Sequence, residues 1–508
     1  MTVDVLTLLA NVVNPVNFSI MTAGVAGGIV VGALPGLTAT MGLALLIPFT
    51  FTMEPIPALM MLGGVYVGAI YGGSISAILI STPGTPSAIA TVFDGFPLTR
   101  KGKAEHALVT AAFTSGVGGV FGAVILLGIA PPLARFALAF GPAEMFWVAI
   151  FGLTIIATLA SKSLVKGLIG GLLGLLLSSI GLAPIGGDMR FTFGFWQLQG
   201  GIDLIVGLIG LFCIPEVFHM LEKKGEKRYF ELYKPQKGVA RSTIIELIKK
   251  PVLLLRSSII GVIVGIIPGA GGNIAGILSY DQAARWSKHP EEFGTGIIDG
   301  VAASESANNA AVGGALVPLL TFGIPGAPPA AVLLGVLMIH GLRIGPELFT
   351  TFGHITYTFL IALIMANIVM FVLGFYGARQ VARMVNLPEN LIAPVVALLC
   401  VIGSFAIRNN MLDVGIMMSF GFIGYVTRKL GFDPGPIVLG LILGPIAEIG
   451  LTRAMLLGKA AGSIWVVFFT HPISIVLIIL CVLSLLWPVI VRERTKRRIQ
   501  RGEKVGVE

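Results

Sequence analysis

The sequence predicts an all-α polytopic membrane protein built from two related halves with interrupted helices, and three observations carry that prediction. First, 55% of the 508 residues are hydrophobic, only 12% are charged, and mean hydropathy is +0.94. Soluble chains carry about 25% charged residues, so the deficit points to lipid as solvent. Second, long runs nearly free of charge recur at Ala107–Ala130, Met145–Ala160, Ile202–Cys213, Phe359–Gly374 and Pro472–Val491. A crossing takes about 20 apolar residues, so about ten to twelve transmembrane helices fit the length. Third, each half holds two Pro-Gly breaks inside apolar sequence. Gly28-Ile-Val-Val-Gly-Ala-Leu-Pro-Gly36 matches Gly261-Val-Ile-Val-Gly-Ile-Ile-Pro-Gly269, and Thr82-Pro-Gly-Thr-Pro-Ser-Ala88 matches Ile324-Pro-Gly-Ala-Pro-Pro-Ala330. Pro removes a backbone donor and Gly relaxes the chain, so each pair unwinds a helix. Such backbone survives at membrane depth only where protein or a water-filled cavity satisfies it.

In chain order, residues 1–15 read as a short N-terminal interfacial segment and 16–221 as the first membrane repeat. Residues 222–242, highly charged, read as a basic cytoplasmic linker, with a short amphipathic helix at Thr243–Lys250 leading into a second repeat, 243–470. A final transmembrane helix, 471–491, returns a basic tail, 492–508, to the cytoplasm. Basic clusters at Arg100–Lys103, Lys223–Arg241 and Arg492–Lys504 set this orientation by the positive-inside rule. The loop corresponding to Arg100–Lys103 is His340–Pro346, with a single Arg, and this asymmetry points to repeats inverted across the membrane.

The net charge of +9 resides in those clusters. A solvated polybasic face touching anionic lipid accounts for it, and nucleic-acid binding is not indicated. Cys213, Cys400 and Cys481 lie apart in apolar sequence with no metal-ligand spacing, so neither a disulfide framework nor a metal site is expected. The N-terminus lacks the pattern of a removable signal. No HExxH, GxGxxG or P-loop is present, which leaves zinc proteolysis and ATP hydrolysis without support. No cofactor is expected beyond a coupling ion, Na⁺ or H⁺.

Paired breaks in two repeats are the sequence pointer to a transporter's binding site. Pro35-Gly36 precedes Thr38 and Thr40, and Gly269 precedes Gly271, Gly272 and Asn273. Each break opens a half-helix whose free N–H groups and partial positive charge attract an anion such as a carboxylate. N-capping is the competing reading, and it suits Thr38 alone. The second break is rich in hydroxyls at Ser81, Thr82, Thr85 and Ser87 around Gly84, while its counterpart at Pro325-Gly326 is apolar. The most polar run in an apolar setting is Ser304, Glu305, Ser306, Asn308 and Asn309. Ionisable groups at membrane depth are costly and point to function, here a coupling proton or Na⁺. A polar helix–helix seam is the alternative.

The stretches GALPGLTATMGLALLIPFTF, YGGSISAILISTPGTPSA, DGFPLTRKGKAEHAL, IIPGAGGNIAG and DGVAASESANNAAVGGALVPLLTFGIPGAPPAAVLLG together resemble the large membrane subunit of the tripartite tricarboxylate transporters, in order and along nearly the whole chain. The resemblance implies a small membrane subunit and a periplasmic solute-binding protein as partners. It also implies ion-driven import of carboxylates such as citrate across the bacterial inner membrane. A substrate site at Pro35–Thr40, Ser81–Ser87, Pro268–Asn273 and Pro325–Gly326, with a cation-coupling set at Ser304–Asn309, is the carried-over expectation. The rivals are an anion channel, in which the breaks form a filter, and an intramembrane enzyme using Glu305 or Asp299. Neither carboxylate has a second catalytic group beside it in sequence.

Overall fold

The computed structural model describes residues 4–159, 163–222, 238–385, 389–460 and 462–500. Most of the predicted linker (223–237) and the end of the tail (501–508) lie outside the described residues. The chain is overwhelmingly helical, and the strands among the described residues are a two-residue pair, Gly181–Leu182 with Met189–Arg190. Among the described residues, seven helices are long and apolar enough to cross a membrane: Pro15–Ala33, Pro55–Ile80, Ala104–Ala137, Leu204–Glu222, Gly353–Met384, Leu391–Arg408 and Pro434–Ala460. Shorter apolar helices accompany them, among them Ala39–Thr50, Pro251–Ile266 and Pro328–Ile339. Those three are short because the breaks at Pro35-Gly36, Pro268-Gly269 and Pro325-Gly326 cut them from longer apolar runs.

The chain divides into two compact units. The first, Met1–Ala137 with Ile205–Tyr425, holds the broken helices of both repeats. The second, Leu138–Leu204 with Val426–Glu508, packs Pro434–Ala460 against Pro142–Leu159 and Leu164–Ser178. There the strand residue Arg190 forms a two-pronged ion pair with Glu448, at 2.6 and 3.1 Å. The carboxylate of Glu144 accepts from Gly141 N–H at 2.9 Å and Ser474 Oγ at 2.7 Å.

In the first unit the repeats match atom by atom at their closest contacts. Pro15–Ala33 packs on Pro55–Ile80, and Pro251–Ile266 packs on Ile298–Phe322. A methyl on Gly28 would lie 2.4 Å from the Val65 carbonyl oxygen, and one on Gly261 would lie 2.3 Å from that of Ala307. Gly32 meets Ala69 O at 2.1 Å and Gly265 meets Ala311 O at 2.5 Å. Gly72 meets Ile29 O at 2.3 Å and Gly314 meets Val262 O at 2.5 Å, so Gly72 corresponds to Gly314. With little hydrophobic drive between helices in lipid, this backbone-to-backbone approach is what holds the pairs together.

The breaks are equally alike. Pro15–Ala33 ends at Leu34 and Pro251–Ile266 at Ile267, both extended with ψ of 114° and 116°. Gly36 and Gly269 follow with φ of 94° and 83°, a region that favours glycine. At the second breaks, Gly84 N–H donates to Gly73 O and Gly326 N–H to Ala315 O, both at 3.2 Å. The unwound backbone is therefore satisfied by the helix it has just left.

The half-helices then pair crosswise. Ala39–Thr50 of the first repeat packs on Pro328–Ile339 of the second. Gly271–Arg285 of the second packs on the Pro86–Ala88 turn and the Ile89–Arg100 helix of the first. Each of these contacts thus joins a half-helix of one repeat to a piece of the other.

Other segments differ from their predicted extent. The helix expected at Thr243–Lys250 runs from Val239 to Ile248. The final helix, expected to stop near 491, continues as Pro472–Gln500 into the basic tail. Helix propensity of its Arg and Lys residues allows that extension once the apolar span is formed.

Candidate functional site

The polar helix Ile298–Phe322 is buried along almost its whole length. Glu305 is fully buried, and its carboxylate accepts from Thr91 Oγ1, from Ser115 Oγ at 2.8 Å and from Asn309 Nδ2 at 3.3 Å. Asn309 Nδ2 also donates to Ser115 Oγ at 2.8 Å and to the Glu305 carbonyl at 3.1 Å. Ser304 Oγ lies 3.1 Å from Thr91 Oγ1, and Ser306 Oγ donates to Thr114 O at 3.4 Å. Ser304, Glu305, Ser306 and Asn309 therefore form a seam with Ile89–Arg100 and Ala104–Ala137 of the other half. Small residues make the seam possible: a methyl on Gly118 would stand 2.1 Å from Ser306 O.

Asn308 is different. It is 1% exposed, yet neither its Nδ2 nor its Oδ1 has a partner within the protein. An unpaired buried polar atom costs about 1–3 kcal/mol, so two on one amide mark a place kept for something else. The amide faces the second repeat's first break: a methyl on Gly272 would lie 2.3 Å from Asn308 Oδ1 and 3.2 Å from Ser87 Cβ. Gly272 is thus the only residue type that leaves this amide its room. The half-helix Gly271–Arg285 opens there after Ala270, which supplies no side-chain cap. Its first turn presents N–H groups with no partner inside the helix. Ser87 is buried alongside, its hydroxyl 3.1 Å from that of Thr85.

The equivalent end in the first repeat is closed. Thr38 caps its own half-helix, accepting from Met41 N–H at 3.2 Å, and Thr40 is buried. Capping accounts for Thr38, and Thr38→Val is expected to lower the melting stability by about 1 kcal/mol while leaving ligand affinity unchanged. Ligand-free and ligand-bound thermal melts check both halves of that statement.

The structure brings together Thr85, Ser87, Gly272 and Asn308, with Glu305 and Asn309 on the same helix one turn or less away. It separates others. Asn273 is exposed among Ile274 and Ile277 rather than turned toward Asn308. Ser81 is exposed in a left-handed conformation ending its helix, and Thr82 Oγ1 donates to Ile80 O at 3.3 Å. Pro35 and Pro325 are buried supports for the breaks, and Gly326 O accepts from Gly269 N–H at 3.0 Å. Among the described residues, no three His, Cys, Asp or Glu side chains gather as a metal site.

Sequence reasoning did not single out Thr91 and Ser115, which lie 190 residues or more from Glu305 in the chain. It also passed over Asp94. This fully buried carboxylate accepts from Gly294, Gly296 and Ile297 N–H at 3.0, 2.7 and 3.1 Å, and from Tyr280 Oη at 2.8 Å. Asp94 thereby fixes where the polar helix begins. Its signal was a lone acid in an apolar stretch, Phe93-Asp94-Gly95-Phe96.

An α-helical multi-pass membrane protein whose helices break in matched pairs around a buried polar helix is the class this architecture defines. The chain belongs to the tripartite tricarboxylate transporter TctA family, whose model matches residues 18–439, and is thus a transporter subunit. It is 37% identical over 490 residues, 95% of each chain, to an uncharacterized 52.8 kDa protein of the TAR-I ttuC′ 3′ region of Agrobacterium vitis. It is also 35% identical over 240 residues to an uncharacterized protein of the TAR-II ttuC′ 3′ region of that organism, covering 47% of this chain and 97% of the relative. No solved structure matches the chain.

Proposed function

We propose that this chain is the permease subunit of a binding-protein-dependent secondary transporter that imports tricarboxylates or related organic acids, citrate among them. The observation that carries the reading is the unpartnered Asn308 amide against the uncapped N-terminus of Gly271–Arg285. Free N–H groups and a partial positive charge suit a carboxylate, and Asn308 Nδ2 adds a donor. Ser87 and Thr85, from the other repeat, complete the crossing. Because this crossing takes one piece from each repeat, relative movement of the repeats, inverted across the membrane, would open the site alternately to either side. A small membrane subunit and a periplasmic solute-binding protein are the partners, the latter delivering substrate. The chain sits in the bacterial inner membrane with its linker and basic tail in the cytoplasm.

The driving ion is Na⁺ or H⁺, and the Glu305 seam is its place in this reading. Uptake of radiolabelled citrate into proteoliposomes with both partners, under separately imposed Na⁺ and pH gradients, tests the function. Accumulation under one gradient is the expected result; rapid equilibration without accumulation would mean a channel. If H⁺ is the driver, Glu305→Gln is expected to keep substrate exchange and lose accumulation driven by a pH gradient. An unchanged response in that variant leaves Glu305 a purely structural role.

A further inference from the structure

Asn308 is short of two partners of opposite kind. Its Nδ2 lacks an acceptor and its Oδ1 lacks a donor. A carboxylate, resting on the proposed reading above, answers only the first. The second group must donate to, or carry positive charge against, Oδ1.

The surroundings decide which. Oδ1 faces the start of Gly271–Arg285, a 15-residue helix whose N-terminus carries partial positive charge and no side-chain cap. A cation at Oδ1 would sit against that charge and would compete with N–H groups for the same space. The one carboxylate on the adjoining turn, Glu305, turns its oxygens to Thr91, Ser115 and Asn309 and not to Asn308, so it offers no shared ligand for a cation at Oδ1. The hydroxyls of Thr85 and Ser87 lie within hydrogen-bond distance of each other rather than of the amide. What remains is a neutral O–H, either of water or of the anion itself, and only the second is held in place by the carboxylate beside it.

We infer that Asn308 is a specificity-determining residue that recognises a hydroxyl adjacent to the bound carboxylate, so the site selects hydroxy-carboxylates over the same acids lacking the hydroxyl. Nδ2 donates to the carboxylate, the hydroxyl donates to Oδ1, and the first-turn N–H groups hold the remaining carboxylate oxygen. A planar amide placed this way reads the two substrate groups together. A plain acid leaves Oδ1 buried and unsatisfied, which is the penalty that discriminates.

The test uses the full chain in lipid nanodiscs, without the solute-binding protein, so that the partner's own selectivity does not enter. Ligand-induced thermal stabilisation is titrated with two matched pairs: citrate against propane-1,2,3-tricarboxylate, and malate against succinate. Each pair differs by one hydroxyl. The expected result is a preference for the hydroxylated member of roughly tenfold or more in the better-binding pair. In Asn308→Leu, of similar size, both affinities fall and the preference collapses toward unity. The wild-type comparison stands even if that variant does not fold. Equal binding of both members by the wild type overturns the inference while leaving the carboxylate site in place, because water would then be the donor. Binding of neither acid overturns the carboxylate reading and the inference with it. A preference that persists unchanged in Asn308→Leu assigns the hydroxyl to another residue and overturns the inference alone.

Discussion

Gly84→Ala and Gly326→Ala are each expected to abolish stable, folded protein, although the two positions lie in different halves of the sequence. A methyl on Gly84 would stand 1.9 Å from Gly32 O and 2.7 Å from Ser76 Oγ. On Gly326 it would stand 2.4 Å from Gly265 O and 2.6 Å from Ala315 Cα. The obstacle in each case is backbone, which cannot rotate away as a side-chain end does. Overpacking typically costs about 1–3 kcal/mol, and displacement of a whole helix from its partner carries these two beyond that range. The same shift would break the Gly84-to-Gly73 and Gly326-to-Ala315 hydrogen bonds that satisfy the unwound turns. Gly27 and Gly128 are the controls, since a methyl at either meets nothing within 4 Å. Both are in helices, where alanine is preferred by about 1 kcal/mol, so these variants are expected to be neutral or slightly stabilised. Monodisperse yield and melting temperature compare the four. Wild-type behaviour of Gly84→Ala would show that the helices are not held at this distance.

Asp94→Ala carries the second largest effect. It would leave three backbone N–H groups and the Tyr280 hydroxyl without their shared acceptor; the Gly296 N–H is buried and the other three donors are partly reached by solvent. A buried orphan at Gly296 costs about 1–3 kcal/mol, and the three donors that water can reach add less, so the loss is about 2–4 kcal/mol. The consequence for function is indirect. Gly294, Gly296 and Ile297 lead into the helix that carries Glu305 and Asn308, so freeing them loosens the start of that helix. Asp94→Asn separates shape from charge. Its Oδ1 can still accept from the three N–H groups, and its amide can donate to the Tyr280 oxygen. It is therefore expected to retain most of the stability that Asp94→Ala loses, with Tyr280→Phe near it. Thermal melts of the three variants, with citrate uptake measured alongside, provide the check. Equal damage by Asn and Ala would show that the negative charge, rather than its hydrogen bonds, is the requirement.

The architecture was legible because it is written locally. A Pro-Gly pair within an apolar run unwinds a helix whatever surrounds it, and glycines at Gly28, Gly32, Gly261 and Gly265 repeat at the spacing of one helix face. Glycine's close-packing role at these points follows from the sequence, and the matched carbonyl contacts carry it into three dimensions. The site was only half legible. That Thr38 would cap its own helix was readable from Thr at that position, and so was Ala270's inability to do the same. The two breaks are alike in backbone and unlike in capping, so aligning them suggested more symmetry of chemistry than there is. Asn273 matches Thr40 in the alignment, yet it is exposed while Thr40 is buried, because the phase of a half-helix depends on what it packs against.

The long-range partners of Glu305 and Asp94 were not legible at all. Thr91, Ser115, Tyr280 and Gly296 are ordinary residues until the two halves fold together, and every one of those contacts joins positions more than 180 residues apart. Five polar residues in one run invited a single role for all. The fold divides them: Ser304, Glu305, Ser306 and Asn309 bond to protein, while Asn308 alone among the five has both side-chain polar atoms unsatisfied.

The most direct measurement is an electron cryo-microscopy map of the full chain in nanodiscs at saturating citrate, compared with a map without it. The expected result is added density within hydrogen-bond distance of Asn308 Nδ2 and the first-turn N–H groups of Gly271–Arg285, beside Ser87, and absent in Asn308→Leu. Density at the half-helix that Thr38 caps, with the Asn308 amide still unoccupied, would contradict it.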